Sequence, residues 1–231
     1  LEVLDMVNEG TEDWQGHGTV VAAISISGNP LFPGMAKAAK GVMGKVFSRD
    51  QAGASDGDIM AAASAALKKG SDVISLSLGS RGSSADNLAR FMSHLTELEN
   101  IAGERPIVTA SNGNSGPFDR TLSQPGAGEN VLAVAAAAKS KDDGVPETAF
   151  YSSVGPDVDR RYAIKRVRFK PDITALGGDV TTEPGSNNVY KNGVYAAKSK
   201  DSPPGPADIE GGKQTAMSGS SMSNPAAAAI A

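Results

Sequence analysis

Short β-branched runs alternate with alanine-rich, helix-forming stretches along this chain, and this alternation is the strongest constraint on its fold. Residues 56–67 form the clearest predicted helix, with Asp56 or Asp58 available to cap its start. A predicted strand, residues 72–78, follows at once. Repeated βα units of this kind stack their strands into a parallel sheet covered by helices. We therefore expect a three-layer α/β/α sandwich with a mainly parallel sheet.

The remaining elements continue the same pattern. A second helix over about 85–99 carries an apolar stripe at 3.6-residue spacing, made of Leu88, Phe91, Met92, Leu95 and Leu98. Further strands are predicted over 106–111, 130–135 and 168–174, and a closing helix over 219–231. Residues 178–212 are rich in Gly, Pro, Asn and Lys, which predicts a long surface loop.

Composition narrows the classes of function. The length of 231 residues suits one domain, and a net charge of −4 gives no basic footprint for nucleic acid. With no Cys and two His, a transition-metal site would need carboxylates for most of its ligands, so no metal ligands and no metal catalysis are predicted. No apolar run reaches the ~18–20 residues that cross a bilayer.

Three short motifs carry residues with chemical potential. His17 lies in GHGTVVAA, Asn114 ends the SNGN of a strand-to-loop segment, and Ser221 lies in GSSMSNPAA before an Ala-rich run. Each has an ordinary alternative: a His at a helix start, a turn Asn, and a Ser that caps a helix. A hydroxyl beside a histidine can nevertheless become a nucleophile, and the first N–H groups of a helix can stabilise an oxyanion.

Taken together and in this order, the motifs resemble those of the subtilisin-like serine peptidases, the subtilases. GHGTVVAA is similar to the family's HGTHVAG, SNGNSG to AAGNxG, and GSSMSNPAA to GTSMAxP. Segments between them follow the family as well, including DVISLSLGS, NVLAVAA, FYSSVGP and FKPDITALGGDV. The resemblance covers nearly the whole chain, so residues 1–231 are expected to form one subtilisin-like catalytic domain.

The resemblance implies roles for individual residues. His17 would be the general base, Ser221 the nucleophile rather than Ser218, Ser220 or Ser223, and Asn114 the side-chain donor of the oxyanion hole. The walls of the specificity pocket would be Ser77, Leu78, Gly79, Ser111, Asn112 and Gly113. Ser123 would lie near the pocket floor, Pro125 would be a cis proline, and Gly53–Ser55 would lie beside the substrate. Such walls carry no fixed charge, so no strict preference for a charged residue before the cut is expected.

The family relationship also implies polypeptide substrates, export from the cell, and no organic cofactor, with structural calcium possible at an unassigned site. Oligomeric state is left open. Some positions depart from the family pattern without touching the roles above: Val20 and Ala226 stand where the family has His, and Leu176 stands where it has Pro.

The third catalytic group, an Asp that orients the histidine, is not evident. Upstream of His17 there are only Asp5, which ends a strand-like Val3-Leu4-Asp5, and Asp13, in a turn-like stretch. Asp5 lacks the Ser/Thr-Gly that follows the family's Asp, and twelve residues leave little room before the histidine. We expect the Asp to lie N-terminal to Leu1, in a catalytic domain truncated at both ends, and the chain alone to be a poor peptidase.

Two rival interpretations stay open from the sequence. Gly53–Gly57 formally fits the GxSxG nucleophile elbow of an α/β-hydrolase, with Ser55 as nucleophile and His94 the only downstream histidine. The residues before it are polar rather than a strand, which disfavours that class. The second rival is a subtilase-like domain that binds peptides without cleaving them.

Overall fold

The computed structural model of the chain describes residues 1–50, 53–139, 145–159, 166–179, 193–205 and 207–231. Four α-helices lie in these ranges: α1 His17–Ile26, α2 Asp56–Lys68, α3 Asn87–Leu95 and α4 Ser220–Ala228. The strands are β1 Glu2–Asp5, β2 Val42–Lys45, β3 Val73–Leu76, β4 Ser80–Arg81, β5 Ile107–Ser111, β6 Ser123–Gln124, β7 Leu132–Lys139, β8 Pro146–Thr148, β9 Asp157–Asp159, β10 Arg166–Arg168, β11 Ile173–Leu176, β12 Val194–Ala197 and β13 Gln214–Met217.

A parallel sheet forms the centre of the molecule. Its strands follow the order β11-β7-β5-β3, with β8 added antiparallel to the end of β7. Helices α2 and α3 pack on one face of this sheet, and α4, with α1 against it, packs on the other. The expected three-layer α/β/α sandwich is therefore confirmed, and the carboxyl ends of its parallel strands open onto a common edge.

The larger core cluster lies between the sheet and the α2–α3 layer. The predicted stripe of α3 is buried at Leu88, Met92 and Leu95, which are at most 2% exposed. Leu98 is 40% exposed because α3 ends at Leu95, four residues before the predicted end. None of the helices in the described part of the chain has the length and hydropathy to cross a membrane.

Helix α2 occupies the predicted residues, but its cap differs from the prediction. The Ser55 hydroxyl accepts the N–H of Asp58 at 3.0 Å and donates to the Asp58 carboxylate at 2.7 Å. Ser55 has the extended backbone that a capping residue requires, whereas Asp56 and Asp58 already lie inside the helix. Ser55 is thus a structural cap, which removes the basis for a nucleophile elbow at this position.

Two other predicted elements differ from the structure. The single strand expected over 168–174 is two strands, β10 and β11. The residues between them include Pro171, which has no N–H to donate to a sheet, and Lys170, whose side chain is buried. The Lys170 Nζ donates to Val131 O and to the Asp172 carboxylate, both at 2.6 Å. The predicted loop over 178–212 lies partly outside the described residues, and its described part contains β12, paired antiparallel with β13. Ala196 of β12 is 3% exposed, so this hairpin contributes to the core.

A second, two-stranded parallel sheet stands beside the first. It joins β1 to β2, with Glu2 opposite Val42 and Asp5 opposite Lys45. Helix α2 packs on both β2 and β3, and Gly44 lets it approach closely, since a Cβ there would lie 2.8 Å from Ala62 Cβ. Within the described residues, β2 pairs only with β1 and β3 only with β5, so two parallel strand edges lie under one helix without joining.

The capping role of Ser55 predicts a stability effect without a catalytic one. Ser55→Ala should lower the free energy of unfolding by about 1 kcal/mol, because the Asp58 N–H loses its acceptor at the helix start. Ser55→Asp, which keeps a capping oxygen, is the matched control and should stay near wild type. Urea unfolding followed by circular dichroism measures both, and equal stability of all three proteins would contradict the capping role.

Candidate active site

A cavity of about 360 Å³ opens at the carboxyl ends of β3 and β5. The starts of α1 and α4 bring His17 and Ser221 to its wall, and the loop after β5 brings Asn114. Three residues from separate parts of the sequence therefore meet at the edge where parallel α/β sheets bind ligands.

His17 is the first residue of α1 and is positioned by the turn before it. Gly16, the N-cap residue of α1, has a φ of 83°, a left-handed conformation that favours glycine. The Asp13 carboxylate accepts the Gly16 and Thr19 N–H groups, each at 2.8 Å, and the Thr19 hydroxyl at 2.7 Å. Both Asp13 oxygens are thus used in fixing the backbone around His17.

Burial lowers the pKa of His17 below its ordinary value, and the nearby Asp13 charge opposes this shift only in part. The neutral imidazole is therefore favoured, which is the form that can accept a proton. No hydrogen bond joins the imidazole to any residue that the structure describes. Its orientation accordingly lacks the carboxylate partner that fixes a catalytic histidine.

Ser221 is the second residue of α4, just after a turn at Gly219 with φ 154°. Its hydroxyl donates to the Ser77 carbonyl oxygen at 3.2 Å, so in this structure the proton is directed at the backbone. A change of χ1 rotamer redirects such a hydroxyl. Ser221 and His17 line the same cavity, and the backbone N–H of Ser221 lies in the first turn of the helix, where no intrahelical acceptor exists.

Asn114 is held in a single orientation by the residue before the candidate nucleophile. Its Oδ1 accepts the Ser220 N–H at 2.8 Å and the Ser220 hydroxyl at 2.9 Å. Because an N–H can only meet an acceptor, Oδ1 faces Ser220 and the Nδ2 amide is left for another partner. A Cβ on Gly219 would lie 3.3 Å from Asn114 Nδ2 and 3.7 Å from Ser221 N. Glycine at this position thus keeps open the space between two N–H donors.

Ser220 is a positioning residue that sequence reasoning missed, because the motif presented it only as a rejected nucleophile. Its hydroxyl accepts the Gly113 N–H at 3.2 Å as well as donating to Asn114, and its side chain is 1% exposed. A hydroxyl next to the nucleophile could have suggested the residue, but its partners are more than 100 positions away in sequence.

Most of the predicted pocket residues do meet at the cavity. Its lining includes Ser77, Leu78, Gly79, Ser111, Gly113 and Ser123. Asn112 differs from the expectation, because its side chain does not line the cavity. That side chain is fully buried and donates to Ser153 O at 2.5 Å and to the Ser152 hydroxyl at 3.2 Å. Alternation of side chains at the strand end turns Asn112 away from the face on which its neighbours lie.

Four further expectations can be compared with the geometry. Arg81 lines the cavity and adds a fixed positive charge that the sequence interpretation did not include. Gly53–Ser55 does not line it. The Gln124–Pro125 peptide bond is cis, as the family resemblance implied. His94 is exposed on the surface and pairs with Glu97, so it does not have the buried site that a general base needs.

Asp5 is engaged away from the cavity. Its carboxylate accepts the Gly10 N–H at 2.7 Å and the Val7 N–H at 3.1 Å in the turn after β1. Burial opposes its ionisation, but these hydrogen bonds and the charge of Lys45 hold the pKa of Asp5 below its ordinary value. Asp5 therefore acts as a turn-stabilising residue and, like Asp13, makes no hydrogen bond to His17.

The chain matches the model of the Subtilase family, peptidase S8, over residues 5–231. It is 31% identical over 235 residues to a subtilisin of Bacillus sp. strain TA39, covering 97% of this chain and 47% of that protein. It is 30% identical over 250 residues to the serine protease AprX of Bacillus subtilis strain 168, covering 98% and 50%. The solved structure of sphericase matches with a TM-score of 0.69 and 25% identity, over 99% of this chain and 69% of that one.

The described fold is an α/β/α sandwich, and His17, Asn114 and Ser221 line one cavity in it. The chain belongs to the subtilase family. It spans about half the length of the two curated relatives named above.

The double contact of Ser220 with Asn114 predicts a kinetic effect. Ser220→Ala removes one of the two groups that hold Oδ1, so we expect kcat to fall about tenfold with KM little changed. Ser223→Ala is the matched control, since the Ser223 hydroxyl bonds only within its own helix, to Ser220 O at 2.9 Å. Steady-state kinetics of the full-length protein on a peptide anilide measures both. A Ser220→Ala enzyme with wild-type kcat would show that Asn114 needs no such support.

Proposed function

We propose that this chain is the catalytic part of a serine endopeptidase that cleaves extended polypeptides through an acyl-enzyme. The observation that carries the proposal is the open space between Asn114 Nδ2 and Ser221 N, beside His17 and the Ser221 hydroxyl. Two N–H donors around one vacant position suit a carbonyl oxygen that becomes negatively charged during the reaction.

The chemistry follows from these groups. Ser221 Oγ attacks the scissile carbonyl carbon while its proton passes to the neutral imidazole of His17. The carbonyl electrons move onto oxygen, and the Asn114 amide and Ser221 N–H stabilise that charge. When the tetrahedral species collapses, the C–N bond breaks and His17 gives its proton to the leaving amine. A water molecule then repeats the sequence on the acyl-enzyme and releases Ser221.

The walls of the cavity support an extended substrate. Residues 77–79 leave β3 along the cavity, where a substrate backbone can pair with them as an added strand. Specificity then depends on side-chain pockets. The small polar walls at Ser111 and Ser123 exclude no charge, while Arg81 favours acidic over basic side chains on this side of the cut.

The acid that orients His17 is proposed to come from outside residues 1–231. Neither Asp5 nor Asp13 has a free carboxylate oxygen directed at the imidazole, since both bind backbone N–H groups of their own turns. Among the described residues, β2 and β3 do not pair with each other. The chain continues from β2 to Phe47 and from β3 to Ser77, and both residues line the cavity. A parallel strand pairing with both β2 and β3 would therefore end at the cavity, where a carboxylate could reach His17.

This assignment predicts that the 231-residue chain reacts slowly at Ser221. A fluorophosphonate probe should label it at least tenfold more slowly than the full-length protein, because an unoriented imidazole activates the hydroxyl poorly. Asp5→Asn in the full-length protein should leave the labelling rate unchanged. Equal labelling of both lengths, lost only in Asp5→Asn, would instead assign the orienting role to Asp5.

The direct test of the function uses Ser221→Ala and Asn114→Leu in the full-length protein. Ser221→Ala should abolish turnover of a peptide anilide while preserving the fold, since little volume changes. For Asn114→Leu we borrow the ~10²–10³ loss of kcat known for the corresponding donor of a subtilisin, a member of this family, rather than deriving it. Ser55→Ala is the control and should retain activity. Wild-type protein that binds peptide and cleaves none would establish a binding domain instead.

Calcium and export remain predictions from the family. Among the described residues no three Asp, Glu or His side chains converge as metal ligands, so no step of the mechanism is assigned to a cation.

A further inference from the structure

A second cavity, of about 450 Å³, adjoins the catalytic groups on their other side. It shares Gln15, His17, Asn114 and Ser221 with the first cavity, so the two meet at the reacting atoms. Since the first cavity holds the acyl side of the substrate in the proposed function, the second lies on the side of the leaving amine, which His17 must protonate.

One wall of the second cavity belongs to a segment outside the α/β core. Ser202, Pro203, Pro204 and Gly205 form this wall, which we call the 202–205 wall. This wall packs against the turn before His17. The closeness is seen at Gly16, where an added Cβ would lie 3.1 Å from the Ser202 hydroxyl. The wall is therefore in contact with the backbone that positions His17.

A nearly buried ion pair joins the residues on either side of the 202–205 wall. Lys198 Nζ lies 2.9 Å from the Asp208 carboxylate, with side chains 10% and 13% exposed. Asp208 also accepts the Gly205 N–H at 2.8 Å, and Lys198 Nζ donates to Ser202 O at 3.4 Å. Burial opposes ionisation of Asp208, but these donors, with Thr215 and the Lys198 charge, hold its pKa below its ordinary value. The ionised Asp208 carboxylate therefore lies against the Lys198 ammonium group, and the two form a compensated ion pair.

The remaining surface of the cavity is largely apolar. Its apolar lining consists of Pro203, Pro204, Ala207, Ala216, Met217 and Met222. Among the described residues that line the cavity, Lys198 and Asp208 are the fixed charges, and they neutralise one another. A charged side chain entering here would lose its hydration without gaining an unpaired counter-charge.

We propose that the 202–205 wall, held by the Lys198–Asp208 pair, makes the enzyme select an uncharged apolar side chain at the residue following the cut. This inference rests on the proposed function and adds a substrate class to it. Lys198 and Asp208 are specificity-determining because breaking their pair leaves one charge facing the leaving side.

The test uses peptides with a constant acyl side and Leu, Asp or Lys after the cut, together with an anilide of the same acyl side. The anilide carries no residue after the cut, so dividing each kcat/KM by the anilide value of the same variant removes effects on the catalytic groups. Wild-type full-length protein should prefer Leu over both Asp and Lys by about tenfold or more.

Charge variants give the decisive comparison. Asp208→Asn leaves Lys198 unpaired and should raise the Asp-to-Lys ratio by about tenfold, whereas Lys198→Met leaves Asp208 unpaired and should lower it by a similar factor. The double variant should return the ratio to its wild-type value. Asp201→Asn is the matched control: its pair with the exposed Lys200 lies in the same segment but outside the cavity lining, so the ratio should not move.

Opposite shifts from the two single variants cannot come from a general loosening of the segment. Ratios that stay within twofold of wild type in both variants would overturn the inference, as would a wild-type preference for Asp or Lys. If the wild-type protein cleaves the anilide, either result leaves the proposed peptidase function intact. Failure to cleave the anilide would overturn both.

Discussion

The hydrogen bonds from Ser220 to Asn114 are the contact on which the candidate active site depends. They connect the loop after β5 to the start of α4, two segments more than 100 residues apart in the sequence. One contact fixes three features: the direction of the Asn114 amide, the first turn of α4, and the position of Ser221 that follows. Asn224, further along α4, adds a second attachment by donating to Ser75 Oγ of β3 at 2.9 Å. The helix that carries the candidate nucleophile is thereby tied to two neighbouring strands.

The sequence predicted the parts of the site that depend on local pattern. The βα alternation and the α3 stripe follow from periodicity, and the family motifs picked out His17, Asn114 and Ser221, which the fold brings to one cavity. What local pattern could not show were long-range partners. The roles of Ser220 and Arg81 arise from contacts with residues that only the fold brings near. The family resemblance placed Asn112 in the pocket wall, yet strand alternation turns its side chain into the interior.

Errors in the fold prediction have the same origin. In the sequence, Lys170 is a polar residue inside a predicted strand. In the structure the strand is divided at this point, and the buried Lys170 ammonium group binds Val131 O and Asp172. The polar composition of residues 178–212 favoured a loop, whereas the described part pairs β12 with β13 and buries Ala196. In both cases a tertiary partner satisfies polar groups that composition alone assigns to solvent.

The two cavities also differ in what supports their walls, and this difference bears on how specificity can change. The first cavity is built from the ends of β3 and β5, whose side-chain directions are set by the register of the central sheet. A substitution there disturbs a strand that also carries core residues such as Leu76 and Ala110. The second cavity is bounded by the 202–205 wall, which depends on one ion pair and a few hydrogen bonds between side chains and backbone. Its residues can therefore be exchanged without repacking the sheet, and under the proposed function this makes the second cavity the more adaptable determinant of substrate choice.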